Sequence, residues 1–288
     1  MTTASIPVDV SNPGQVFACL GFLEVASVLL GNAEGGFEWS AQSSARFEIA
    51  AEGEEGDDNP FRVVLDFLVN GDLKLLVPTG YSAPKAVARN VAEKLPMVTS
   101  TTYPAADVEH LVLPVRFERN GRAFDMSHWC DSSSRNQFKL FAGQQRSAAI
   151  VKLMVDHLKL LWRASSTALT RDPLGMTLPL GGSTFKLDAR KAWTTIDIGY
   201  SPDEQAHHVE ASPVVELLGA IGLEHARPDE YEPRKVRYGV WERRLPSMLA
   251  RAALGGSYVG VRLRVFRFTL DLAGKNKIVT FAEEETSL

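Results

Sequence analysis

After Asn12-Pro13-Gly14-Gln15, apolar side chains recur at helical spacing: Val16, Leu20, Leu23 and Leu30, with Ser27, share one face, and Gly31-Asn32 closes the run. Asn suits the N-cap, Pro the first helical position, and Gln15 stands where a capping-box partner reaches back to the cap. The pattern predicts a helix with one buried face. Two short strands are expected at 37–39 and 46–50, then an acidic, glycine-containing mobile loop at 51–60. The apolar run 61–69 fits helix or strand equally. Residues 73–77 read as a strand closed by Pro78 and Gly80, and 82–95 as a helix with Pro84 in its first turn. Leu111, Leu113, Val115 and Phe117 alternate up to Asn120-Gly121, a pair that supplies the positive φ angles of a type I′ turn. Residues 111–117 and 122–126 are therefore expected to form a hairpin. Pro114 removes a ladder donor and places its strand at a sheet edge.

A polar stretch at 131–137 precedes the longest predicted helix, 144–165, whose apolar stripe is Ile150, Leu153, Met154, His157, Leu158 and Leu161. On that stripe His157 reads as a core histidine with satisfied nitrogens. Past Asp172-Pro173 the chain is rich in turns and short strands, and Ser212-Pro213 opens a helix ending at Gly222. The segments LGFLEVA (20–26) and IGLEHA (221–226) echo one another inside two Pro-initiated helices, an echo short enough to arise by chance. The strongest strand pattern comes last. Val259, Val261, Leu263 and Val265 alternate, and Phe266, Phe268, Leu270 and Leu272 continue one residue out of phase. A β-bulge near Val265-Phe266 keeps both sets on one face and sends Arg262, Arg264 and Arg267 to the other. Residues 273–276 then turn the chain into 278–281.

Charge changes the picture more than composition does. The 288 residues are 45% apolar and 23% charged, ordinary for a globular chain, and the net charge is only −4. Yet residues 1–72 hold twelve acidic and two basic side chains. Between Glu230 and Arg267 nine cations face three anions: Arg234, Lys235, Arg237, Arg243, Arg244, Arg251, Arg262, Arg264 and Arg267 against Glu230, Glu232 and Glu242. Such asymmetry points to nucleic acid or an acidic partner, and Arg is the side chain whose planar fork suits phosphate. A solvated, merely solubilising surface fits the same count.

The N-terminus lacks a secretory signal and no uninterrupted apolar run approaches the roughly 20 residues that span a bilayer, so a cytoplasmic protein without membrane contact is expected. Cys19 and Cys130 form neither a metal pair nor a disulfide framework, and Cys19 reads as a buried thiol. No Walker A loop, dinucleotide fingerprint, H-E-x-x-H or paired C-x-x-C is present, and no cofactor or metal is expected. His207-His208, in a polar segment, is the one candidate for catalysis, as the general base of a metal-independent ribonuclease; a solvated loop pair is the plainer reading. His128-Trp129-Cys130-Asp131 is ligand-rich but incomplete as a zinc site. Gly143-Gln144-Gln145-Arg146 opens a helix, where free N–H groups and Arg146 suit a phosphate, or form an ordinary polar first turn. The glycines of 255–260 either admit a phosphate to backbone N–H groups or make a sharp turn.

Three segments carry a family resemblance: SNPGQVFACLGFLEVA (11–26), FKLDARKAWTTIDIGYSPDEQ (185–205) and PVVELLGAIGL (213–223). Together they resemble the small subunit family encoded with type I-U (I-G) CRISPR systems. The resemblance implies a RAMP-superfamily protein: α+β, antiparallel sheets with packed helices on an RRM- or ferredoxin-like core elaborated by insertions. It implies sister effector subunits, guide RNA and target DNA as partners. The expected organisation is an N-terminal α+β region (1–135) and a C-terminal one (136–288) bearing the basic strands, or one interleaved domain. The expected role is a non-catalytic subunit that grips RNA or DNA backbone through Arg146, Arg234, Lys235, Arg237, Arg243, Arg244, Arg262, Arg264 and Arg267. Two alternatives stay open: a guide-RNA processing endoribonuclease of the same superfamily, and a structural adaptor whose arginines bind acidic neighbours.

Overall fold

The computed structural model describes residues 1–41, 44–53, 59–78, 95–100, 114–127, 138, 140–141, 147–191, 209–273 and 276–285. Most of the acidic loop, residues 82–94 of the predicted helix 82–95, the polar stretch 131–137, Cys130 and residues 192–208 lie outside the described residues. The fold is α+β, with antiparallel and mixed sheets and five helices among the described residues.

The chain opens with β1 (Thr2–Val8), α1 (Pro13–Leu30), β2 (Glu34–Ala41), β3 (Ser44–Ala51) and α2 (Pro60–Asn70). β3 inserts between β1 and β2, antiparallel to both. The helical reading of 61–69 wins because Asn59 caps it, its side chain accepting from Phe61 N at 2.9 Å, and Pro60 starts it. A second sheet follows in β4 (Asp72–Pro78), β5 (Met97–Ser100), β6 (Val115–Arg119) and β7 (Arg122–Met126), in the order β5-β4-β6-β7. The β6–β7 hairpin turns at Asn120 (φ 51°) and Gly121 (φ 75°), as the Asn-Gly pair requires. β6 is not an edge strand, however, because it pairs with both β4 and β7. Pro114 lies just before it, where its missing N–H interrupts no ladder, and its carbonyl accepts from Leu76 N.

α3 (Ser147–Arg171) is broken at Ser165, whose extended backbone (φ −165°) separates two helical pieces. Its hydroxyl caps the second piece by accepting from Ala168 N. His157 on this helix is only half-buried, and its Nδ1 is enclosed without a hydrogen-bond partner, which corrects the expectation of a satisfied core histidine. β8 (Leu178–Pro179) and β9 (Glu210–Ala211) pair briefly before α4 (Pro213–His225). Then come β10 (Asp229–Glu232), β11 (Lys235–Trp241), β12 (Leu245–Pro246), α5 (Ser247–Leu254), β13 (Leu263–Ala273), β14 (Asn276–Val279) and β15 (Glu283–Glu284). Their sheet runs β10-β11-β13-β14, with β15 on the same edge of β13 as β14, while β12 joins the first sheet beside β2.

α1 departs from its sequence expectation. Not one face but every residue from Pro13 to Ala26 is buried, because sheets and helices enclose it all round. It is long and apolar enough to cross a bilayer, yet 83% of it is covered by the rest of the protein. Gln15 does not complete a capping box; its Oε1 accepts from Asp9 N at 2.8 Å. Phe17 meets Tyr238, Phe138 and Phe268 at centroid distances of 5.7–6.3 Å. Trp241 packs on Phe37 and donates Nε1–H to Gly35 O, joining the β10-β11-β13-β14 sheet to the first.

The crossing of α1 and α4 explains the sequence echo. A Cβ added at Gly21 would overlap Leu218 O and lie 3.2 Å from Gly222 N. One added at Gly222 would overlap Phe17 O and lie 3.1 Å from Gly21 N. Each glycine thus faces the carbonyl four residues before the other. Reciprocity of this kind is the signature of an approximate two-fold relation, so the echo has a structural basis. Each helix also leads into a hairpin and then a shorter helix: β2, β3, α2 after α1, and β10, β11, α5 after α4.

Candidate nucleic-acid interface

β11 and β13 carry four of the nine predicted basic residues, Lys235, Arg237, Arg264 and Arg267, and their register decides which face each one takes. The pairing runs without a shift through Leu263–Trp241, Arg264–Val240, Val265–Gly239, Phe266–Tyr238, Arg267–Arg237, Phe268–Val236 and Thr269–Lys235. There is no bulge at Val265-Phe266. The apolar positions change phase because β13 begins only at Leu263, and the core row is Phe266, Phe268 and Leu270 alone. Arg264 therefore belongs to the core-side row, not beside Arg267. Its guanidinium lies over Trp39 and Phe266 at 5.3 and 5.2 Å and makes a two-pronged bond to Glu284, both arms 2.7 Å. Only 13% of its side chain is exposed.

On the outer face, Arg237 and Arg267 stand directly opposite each other across the two strands, with Lys235 one step along. Arg237 bonds Glu285 at 2.8 Å and covers the ring of Tyr231 at 4.4 Å. Arg267 approaches Glu283 loosely at 3.6 Å. Lys235 pairs with Glu232 at 2.6 Å in the solvent, and that hydrogen bond raises its pKa. Glu284 is held below the ordinary carboxylate range by Arg264. A groove of about 340 Å³ adjoins this face, lined among others by Tyr231, Lys235, Arg267, Thr269 and the half-exposed Phe281.

The remaining predicted residues are dispersed. Arg234 occupies the β10–β11 turn at φ 64°, exposed, its backbone N–H held by Glu230. Arg243, at φ 69°, is exposed beyond β11, and Arg244 next to it reaches Glu48 and Thr3. Arg262 is exposed just before β13. Arg251 binds the buried carboxylate of Glu24 with two 2.7 Å bonds and serves the core. Arg146, His207 and His208 lie outside the described residues.

The segment FKLDARK proves to be scaffold. Glu216, fully enclosed on α4, accepts from Lys186 N, Leu187 N and Asp188 N at 2.8–3.1 Å. Asp188 in turn accepts from Asn12 Nδ2, Ser212 N and Arg190, tying the starts of α1 and α4 to this segment. Burial raises the Glu216 carboxyl to about 6, against the lowering effect of the three N–H donors. Both carboxylates are consumed as acceptors. Among the described residues no three His, Cys, Asp or Glu side chains gather as a metal site. The thiol of Cys19 is buried and its pKa raised by burial.

Sequence reasoning missed Tyr231, Phe281 and the Glu283–Glu285 run. The last was legible as three adjacent acids downstream of a basic strand. Neither a protein-family model, nor a curated protein, nor a solved structure matches the chain.

Proposed function

We propose that the chain is a non-catalytic subunit of a type I CRISPR RNA-guided surveillance complex, using the outer face of β11 and β13 to hold the backbone of guide RNA or target DNA. The observation that carries this reading is the direct opposition of Arg237 and Arg267. Like charges facing each other across a sheet are destabilising, so the arrangement suits an anion laid between them. Arg234, Arg243 and Arg262 extend positive charge towards both ends of the two strands, about 20 Å for the seven residues of β11. The resemblance in three segments supplies the complex. The order β1-β3-β2, with α1 linking β1 to β2, supports an RRM- or ferredoxin-like, RAMP-type core. In such assemblies protein reads backbone shape while base pairing reads sequence.

A structural adaptor is favoured by one observation, that Glu283–Glu285 already satisfies three of the arginines. The same face would then seat an acidic segment of a sister subunit. The test is purification of tagged protein co-expressed with its neighbouring genes and a repeat–spacer array, comparing wild type with Arg237→Glu/Arg267→Glu. Sister subunits with one guide-length RNA, both diminished in the variant, are expected. Recovery of the wild-type protein alone, free of RNA, would overturn the complex. Partners retained without any nucleic-acid contact in crosslinking would establish the adaptor.

A further inference from the structure

β15 is only two residues long, yet strand alternation gives its neighbourhood two distinct sides. Glu284 points to the core side, where it makes a two-pronged bond to Arg264, whose guanidinium is backed by aromatic rings and whose side chain is poorly exposed. Glu283 and Glu285 point to the outer side, onto Arg267 and Arg237. The inner contact is an anchor, assisted by Ala282 N–H to Ser11 O at 2.7 Å and Glu285 N–H to Val265 O at 2.8 Å. The outer contacts are single-pronged and unequal: Arg237 and Glu285 meet at 2.8 Å, partly buried, whereas Glu283 is 81% and Arg267 55% exposed at a separation of 3.6 Å, a geometry that contributes little in water.

We infer that Arg237 and Arg267 form a phosphodiester site which Glu283 and Glu285 occupy in the free protein as carboxylate stand-ins, and which a single-stranded nucleic acid takes over by displacing them. The inference rests on the nucleic-acid reading above and adds its location, strandedness and control. A phosphodiester offers the same anionic oxygens to the two guanidinium forks as the carboxylates do. Displacement needs only rotation of two side chains, the exposed Glu283 and the half-buried Glu285, because the backbone of the segment stays anchored through Glu284. Strandedness follows from the adjoining groove. It sets the half-exposed Phe281 and Tyr231 beside Arg267, a platform for an unstacked base. A duplex keeps its bases stacked and offers nothing to that platform.

The test measures binding of a fluorescently labelled 20-nucleotide single-stranded RNA by anisotropy across a salt series. Glu283→Gln/Glu285→Gln leaves the Glu284 anchor intact, and Glu34→Gln/Glu38→Gln on β2 is its charge-matched control. Removing both stand-ins is expected to tighten binding about tenfold. It should also steepen the slope of log K against log salt, since the displaced carboxylates no longer take up cations, by no more than the roughly 1.4 that two neutralised phosphates release. Glu283→Gln alone, at a loose and exposed contact that the fold does not depend on, should give about half of that logarithmic gain. The control should change neither quantity. Equal binding by wild type and the double variant overturns the stand-in role and leaves the nucleic-acid reading in place. An equal gain in the control assigns the effect to net charge and overturns the site. No binding by either protein at 50 mM salt removes the nucleic-acid reading and this inference with it.

Discussion

Gly222→Ala should destabilise the protein, although the same exchange inside most helices stabilises it. Replacing Gly by Ala within a helix is ordinarily worth about 1 kcal/mol in favour of folding. Here the new methyl would overlap Phe17 O, lie 3.1 Å from Phe17 C and 3.1 Å from Gly21 N. All three are backbone atoms of a helix enclosed on every side, so none can swing away. α1 and α4 must instead separate by roughly 1 Å, and a gap of that size forfeits about a quarter to a half of each contact's attraction along the crossing. Overpacking ordinarily costs about 1–3 kcal/mol; with rigid backbone on both sides the upper end applies. After the propensity gain, a net loss of about 2 kcal/mol remains, or roughly 4–8 °C in Tm for a chain of this size. Gly21→Ala meets the mirror-image obstruction at Leu218 and should cost the same within about 0.5 kcal/mol. The double variant gives the sharpest reading. One separation of the helices relieves both clashes, so its cost should fall at least 1 kcal/mol short of the sum of the singles. Urea unfolding followed by circular dichroism measures all four proteins. A Gly222→Ala protein as stable as wild type, or strictly additive losses, would refute the reciprocal crossing.

Two further outcomes follow from buried charges. Because the Glu216 carboxyl titrates at about 6 in the folded chain against an ordinary 4.5, the native state holds the extra proton between those values. Stability contributed by this group is therefore full below pH 4.5 and falls by about 2 kcal/mol as pH rises to 6. Glu216→Gln should flatten that part of the stability–pH curve in urea titrations, and an unchanged slope would show that the carboxyl is not perturbed. Arg264→Glu should lower stability by about 2 kcal/mol by setting a second carboxylate against Glu284 and removing the stack on Trp39, while Arg262→Glu stays within about 0.5 kcal/mol. Equal melting temperatures for the two variants would return Arg264 to the solvent face.

Helices were legible where a start signal was read together with apolar spacing, as at Asn12-Pro13 and Ser212-Pro213, whereas 61–69 stayed ambiguous because the Asn59-Pro60 start was read as the end of the loop. Hairpin chemistry was legible at Asn120-Gly121 for the same local reason. What failed depended on distant partners. The all-round burial of α1 is set by elements from both ends of the chain, and spacing within the helix carries no record of them. The phase change at Val265-Phe266 looked like a bulge because nothing local marks Leu263 as the first paired residue. The charge asymmetry was real over 230–267, but the count stopped short of Glu283, Glu284 and Glu285, which lie opposite those arginines in space. For the interface, residue type was readable from sequence, whereas facing and occupancy required the register.

The paired glycines also dictate an order of events at the ribosome. α1 is apolar on every side, yet the surface that covers it comes from α4, about 200 residues later, or roughly 10–40 s of synthesis at 5–20 residues per second. Other contacts that close the N-terminal region come later still: Tyr238 with Val10, Trp241 with Gly35 and Arg251 with Glu24. A nascent chain must therefore carry this greasy rod without its α4 cover for most of its own translation. That rod invites trigger-type holdases, and when they are saturated it leads to inclusion bodies. Slowing elongation ahead of α4 should worsen yield, and supplying holdase should restore it.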